Sequence, residues 1–168
     1  MKARAVIGQA VWGLFAFMLA GAALAQAPAA KFEPQVGQAG KDVIWVPTSQ
    51  ALVDAMMKIG KVTAKDVLFD LGSGDGRTVI TAAKLGARAT GIEYNPDMVE
   101  LSKQNAIKAG VADRATFMKA DLFETDLSKA SVITMYLLPS INAKLKPKLL
   151  GLKPGTRIVS HAFDLEDW

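Results

Sequence analysis

Residues 67–77, Val67-Leu-Phe-Asp-Leu-Gly-Ser-Gly-Asp-Gly-Arg77, decide the fold. The apolar run from Val67 to Leu71 reads as a buried parallel strand, with Asp70 near its C-terminal end. A turn containing Gly72, Ser73, Gly74 and Gly76 follows, and then a helix-forming run over 78–85. Strand, glycine turn and helix N-terminus make the nucleotide-binding corner of a doubly wound α/β fold, where backbone comes close to a ligand and free amides point at it. The spacing is G-x-G-x-G followed by Arg77, not the G-x-G-x-x-G of a dinucleotide site. An acid two residues before the first glycine suits a ligand that presents an ammonium group rather than a pyrophosphate.

Two more acids follow at matching places. Ala89-Thr-Gly-Ile-Glu93 reads as a second strand ending in an acid, about 20 residues past the glycine turn, where a ribose hydroxyl pair needs a carboxylate acceptor. Replacing Glu93 is expected to weaken ligand binding and spare the fold. Thr116-Phe-Met-Lys-Ala-Asp121-Leu122 reads as a third strand with an acid just past its end. Asp121 there can accept from an adenine amino group, and Leu122 can supply an apolar face and a backbone amide. Ammonium, ribose and adenine together describe S-adenosylmethionine.

On these motifs the chain resembles the class I S-adenosylmethionine-dependent methyltransferases over roughly residues 43–168. The resemblance implies a three-layer Rossmann-like α/β fold with a mainly parallel sheet. A narrower likeness rests on Trp45-Val-Pro-Thr48, on the Asp70 to Arg77 run, on Gly91-Ile-Glu-Tyr-Asn-Pro96 and on the ending His161-Ala-Phe-Asp-Leu-Glu-Asp-Trp168. In that order they resemble the family of lysine N-methyltransferases that modify the c-type ring protein of ATP synthase, and their bacterial relatives, which adds Thr48 as a cofactor contact. The resemblance implies a protein lysine as acceptor. A small-molecule or lipid N- or O-methyltransferase, and a cofactor-binding module without catalysis, are the alternatives. The fold it resembles carries two strands after the fifth, and the chain is expected to be a fragment lacking them.

Many amine methyltransferases place Asn/Asp-Pro-Pro-Tyr at the end of strand four; here Met135-Tyr-Leu-Leu-Pro139 stands there. Tyr136 is the candidate catalytic residue, offering a π face to a sulfonium or to a lysine ammonium. No base is expected, since methyl transfer needs proximity and orientation, and an apolar pocket lowers an amine's pKa. His161, the only histidine, has no cysteine or histidine partner, so no metal site is expected. Trp45 reads as core or lid packing, and Arg77 as a helix packing or pairing residue.

At 168 residues and 51% apolar content the chain suits one domain. Lys2 and Arg4, the apolar run 6–19 and Ala23-Leu-Ala25 have the layout of a secretory signal peptide, with an uncleaved membrane anchor over 6–25 as the rival reading. Export to the periplasm or anchoring in the inner membrane is therefore expected over a cytoplasmic location. Without residues 1–25 the formal net charge falls from +4 to +2, and no long basic stripe points to nucleic acid. Residues 26–42, rich in Ala, Pro, Gly and Gln, read as a linker to a domain over 43–168.

Periodicity predicts a helix to Ile59 capped by Thr48 or Ser49, and a helix over 97–109 capped by Asn95. The latter should use one edge of Met98, Leu101 and Asn105. A fourth strand is expected over 131–137, a helix over 139–150 kinked or broken at Pro147, and a fifth strand over 155–160. Alternating strands and helices imply right-handed crossovers in a parallel sheet.

Overall fold

A computed structural model describes residues 32–165. The signal or anchor reading of residues 1–25 and the closing Trp168 lie outside the described residues. Five strands form one parallel sheet: β1 (Val67–Leu71), β2 (Arg88–Glu93), β3 (Ala115–Lys119), β4 (Val132–Met135) and β5 (Arg157–Ser160). Their order is β3-β2-β1-β4-β5. The chain moves outward from β1 through β2 to β3, then returns to pair β4 on the other side of β1. This reversal is the topological switch point, and doubly wound sheets bind ligands beyond the strand ends there.

Side-chain alternation along β1 explains the three layers. Leu68 faces a cluster built from α1 (Gln50–Ile59), α2 (Arg77–Lys84) and α3 (Pro96–Lys108), with Met56, Val79, Val99 and Ala106 at its centre. Phe69 and Leu71 face the other way, onto Ile141, Leu145 and Leu149 of α4 (Pro139–Leu150). Asp70 therefore lies on the α1–α3 side, at the switch point.

Each helix starts and stops for a local reason. Asn95 caps α3 as expected: its Oδ1 accepts from the Asp97 and Met98 amides at 2.9 and 3.4 Å, with Pro96 in the first turn. The buried stripe of α3 is Met98, Val99, Ser102 and Ala106 rather than the expected Met98, Leu101 and Asn105. The small residues let the helix approach the glycine turn, where Ser102 Oγ donates to the Gly74 carbonyl at 2.8 Å. Ser49 stands at the N-cap of α1, but no side chain caps that helix. The α4 helix runs through Pro147 without a break, and Gly151 ends it.

One part of the chain departs from its composition. The compact unit begins at Phe32, inside the stretch read as linker. Residues 37–45 double back on themselves: the Gly37 amide donates to the Trp45 carbonyl at 2.8 Å and the Trp45 amide to the Gln38 carbonyl at 2.9 Å. An isolated antiparallel bridge joins Ala39 to Ile44. This flap packs on the domain at the carboxyl ends of the strands. Alanine, glycine and glutamine gave no periodic signal for it. Among the described residues no helix is long and apolar enough to cross a membrane.

Candidate active site

A cleft of about 330 Å³ opens at the switch point. The turn after β1, the ends of β2 and β4, the loop after β3 and the flap line it. Of the sequence-derived candidates, Thr48, Asp70, Gly72, Ser73, Gly74, Glu93, Asp121, Leu122 and Tyr136 all line this one space. Gly76 does not. It is the N-cap of α2 at φ +83°, and a Cβ there would stand 2.7 Å from the Phe117 ring and 2.9 Å from Ser102 Cβ. Gly76 is needed for backbone conformation and close packing, not as part of the cleft wall.

Asp70 is the electrostatic centre. It is 6% exposed, and its Oδ1 accepts from Thr134 Oγ1 at 2.7 Å, the residue beside it across the β1–β4 register. Burial pushes its carboxyl up to about 7, with Glu93 and Asp75 adding to the rise. No side-chain cation is bonded to it among the described residues, so a ligand's positive charge would relieve the cost of ionising it. Ser73 Oγ, also buried in the cleft wall, has no hydrogen-bond partner. A buried carboxylate lacking a cation and a hydroxyl lacking a partner fit the ammonium and carboxylate of an amino-acid group. The site thus fits the methionine end of S-adenosylmethionine.

Glu93 does more than face the cleft. Its Oε2 accepts from the Gly74 amide at 3.0 Å and its Oε1 from the Asn95 amide at 2.9 Å. One carboxylate therefore ties the glycine turn to the start of α3, a structural contact that the strand-end position of Glu93 in the sequence did not disclose. Gly74 itself sits at φ +54°, where an added Cβ would stand 2.6 Å from Trp45 Nε1. The flap tryptophan thus packs directly on the turn.

Asp121 is not free in this structure. Its Oδ1 accepts from the Phe123 amide at 2.9 Å, and Lys41 Nζ of the flap bonds Oδ2 at 2.5 Å. The Lys41 hydrogen bond and that amide hold the carboxyl below the usual range. Lys41 also lies 4.8 Å from the Tyr94 ring centroid. Sequence reading missed Lys41 because it fell in the linker, eighty positions away from its partner. Arg77 pairs as expected. Its guanidinium engages the Asp75 carboxylate and donates from Nη1 to the Thr48 carbonyl at 2.7 Å.

The remaining wall is aromatic and apolar. Tyr136, Leu137, Leu138, Ile141 and Phe163 border the cleft beyond β4. Among the described residues no three His, Cys, Asp or Glu side chains group to hold a metal ion.

Known proteins resemble this chain in sequence and in fold. Residues 70–168 match the family model of the ANTKMT methyltransferase domain. A protein-lysine N-methyltransferase of Saccharolobus islandicus is 46% identical over 129 residues, covering 75% of this chain and 80% of that protein. The adenine nucleotide translocase lysine N-methyltransferase of Mus musculus is 38% identical over 103 residues, covering 60% of this chain; the chain spans only 45% of that relative's length. A crystal structure of an RNA methyltransferase from Salinibacter ruber, in complex with S-adenosyl-L-homocysteine, superposes with a TM-score of 0.72 at 54% identity, covering 73% of this chain and 82% of that one. The chain belongs to the ANTKMT methyltransferase domain family and is an S-adenosylmethionine-dependent methyltransferase.

Proposed function

We propose that the protein transfers a methyl group from S-adenosylmethionine to a lysine side-chain amine of another protein. The observation that carries the cofactor half is Asp70, a buried carboxylate whose pKa is raised to about 7 and which no cation bonds among the described residues. In this reading Asp70 receives the amino group, and Gly72, Ser73 and Gly74 face the carboxylate. Glu93 takes the ribose hydroxyls, and Asp121 with Leu122 takes the adenine. Thr48 closes the near wall.

When bound, the cofactor supplies an electrophilic methyl group on a sulfonium. The protein's share is placement and exclusion of water. Leu137, Leu138, Ile141 and Phe163 give the acceptor side an apolar wall, which disfavours an ammonium and so favours the neutral, nucleophilic amine. Tyr136 presents its ring there. A lysine amine held against this wall, its ammonium proton lost to solvent, would accept the methyl group from the bound cofactor, which would leave as S-adenosylhomocysteine. Orientation of this in-line displacement, rather than a strong acid–base pair, supplies the rate.

Lysine as the acceptor is supported by the names of the archaeal and eukaryotic relatives. The 54% identical bacterial structure is named for RNA, which makes RNA the rival acceptor. The modest formal charge of +4, half of it from Lys2 and Arg4, favours protein over a polyanion. Incubating the full chain with methyl-tritiated cofactor and a total cell extract, then separating protein from RNA, decides between them. Label is expected in protein and, after acid hydrolysis, in methyllysine. Label confined to RNA would overturn the lysine reading.

We also propose that residues 1–25 direct export or anchor the chain in the inner membrane, on the order of Lys2 and Arg4, the apolar run and Ala23-Leu-Ala25. A mature chain beginning at Gln26 is expected by mass spectrometry of the protein from its native cell envelope. An intact Met1 terminus in the soluble cytosolic fraction would refute both forms.

A further inference from the structure

His161 does not line the cleft, yet several contacts converge on it. Its amide donates to the Met135 carbonyl at 2.9 Å, extending the β4–β5 pairing by one residue. That contact brings its ring beside Tyr136, with centroids 3.9 Å apart and planes tilted by 34°. On its other side Nδ1 hydrogen-bonds Thr48 Oγ1 at 3.1 Å. Thr48 is 8% exposed, and its carbonyl is the one held by Arg77 of the glycine-turn helix.

The turn that carries His161 is itself forced. Ala162 stands at φ +64°, a left-handed conformation uncommon outside glycine. The next residue, Phe163, has its carbonyl bound by Ser160 Oγ and by Asn142 Nδ2, and Asn142 also donates to the Asp164 carbonyl at 3.0 Å. Asn142 has no solvent exposure. Backbone strain and a fully buried amide are both committed to one short turn, which places His161 behind Tyr136 and Phe163 6.2 Å from it.

We infer that His161 is a positioning residue for the methyl acceptor: held by Thr48, it fixes the Tyr136 ring as the wall against which an aliphatic amine lies. This rests on the lysine reading above. A phenylalanine at this place could stack on Tyr136 but could not bond Thr48, and a lysine or arginine would set a permanent charge against the incoming ammonium. Histidine stacks and bonds. Burial lowers its pKa, which keeps the imidazole neutral at neutral pH.

The test uses the full chain saturated with S-adenosylhomocysteine, with n-butylamine as the lysine side-chain probe and ring-carbon NMR as the readout. The chain has two tyrosines, Tyr94 and Tyr136, so Tyr136→Phe assigns both signals. Butylamine is expected to shift Tyr136 in the unmodified protein, with at least a tenfold weaker response in His161→Ala and in Thr48→Val. Thr48→Ser, which keeps the hydroxyl, restores it. The affinity of His161→Ala for S-adenosylhomocysteine should stay within about twofold. An undiminished amine response in both Thr48→Val and His161→Ala would overturn the inference, as would an unmodified protein whose Tyr136 ignores butylamine. Parallel loss of S-adenosylhomocysteine affinity in His161→Ala would also overturn it, as a general structural role. Label appearing in methyllysine while any of these occurs leaves the lysine reading standing and removes only the role of His161.

Discussion

Asp70 links the chemistry of one side chain to the behaviour of the site. Its folded pKa, about 7, lies above the ordinary carboxyl value of 3.8. A raised carboxyl contributes stability below its unfolded value, and that contribution is lost as pH rises through the folded value. The ligand-free chain should therefore lose stability between about pH 4 and pH 7 on this account and level off above. A cofactor ammonium reverses the preference by favouring the carboxylate, so binding should release a proton and tighten as pH rises toward 7. Asp70→Asn removes both effects. Its ligand-free melting temperature at pH 8 should equal or exceed that of the unmodified chain, while its affinity for S-adenosylhomocysteine falls at least tenfold and loses its pH slope. Thermal melts and calorimetric titrations from pH 5 to 8 check this. A variant that binds as tightly as the unmodified chain would remove Asp70 from the site.

Glu93 separates two roles at the same scale. Its carboxylate accepts from the Gly74 and Asn95 amides. Hydrogen bonds to a charged group are worth about 1.5–3 kcal/mol each, less where solvent reaches them, as it does here. Glu93→Ala should lower both cofactor affinity and melting temperature. Glu93→Gln keeps one acceptor oxygen and should recover part of the stability while binding stays weak. Calorimetry beside thermal unfolding distinguishes the two. A Glu93→Ala chain that melts with the unmodified protein would show that the tie to the glycine turn carries no energy.

At the scale of elements, the chain was legible where period and punctuation agree. β1 appears over the residues expected, because a five-residue run, apolar except for Asp70 and stopped by Gly72, has no helical alternative of useful length. The α3 cap was legible in Asn95-Pro96. Its buried face was not, since Ser102 and Ala106 are small and at most weakly apolar, and Ser102 fits inward where Gly76 leaves room for it beside Phe117. The same blindness hid the flap, the role of Lys41 and the packing of Gly76 against Phe117 and Ser102 rather than in the cleft wall. Each depends on contacts between residues far apart in the chain. Among the elements, the α3 cap gives a direct measurement. Asn95→Ala removes the acceptor of two amides and should cost about 1 kcal/mol in chemical denaturation. Because Asn95 also donates its amide to Glu93, which survives the substitution, cofactor affinity should change much less than stability. Equal losses in both would mean that the cap, not Glu93, shapes that side of the cleft.

For the whole molecule, the three-layer core and the cleft divide the work. The two apolar clusters lie on opposite faces of the sheet, and the strand ends between them gather the acids. Asp70 and Glu93 sit on neighbouring parallel strands in register, Asp70 beside Gly91 and Glu93 two residues further along, and both line the same cleft. A ligand that bridges them binds only the folded chain, so it must raise global stability by mass action. At a hundredfold excess over its dissociation constant the gain is about 2.7 kcal/mol. S-adenosylhomocysteine should therefore raise the melting temperature of the full chain by several degrees, and the rise should grow with concentration. NAD should produce none, because the turn lacks the G-x-G-x-x-G spacing that lets a pyrophosphate rest on the helix N-terminus, and Gly76 there is closed off by Phe117. Differential scanning of the chain with each ligand is the check. A shift with NAD and none with S-adenosylhomocysteine would contradict a site built around Asp70 to receive a ligand's ammonium.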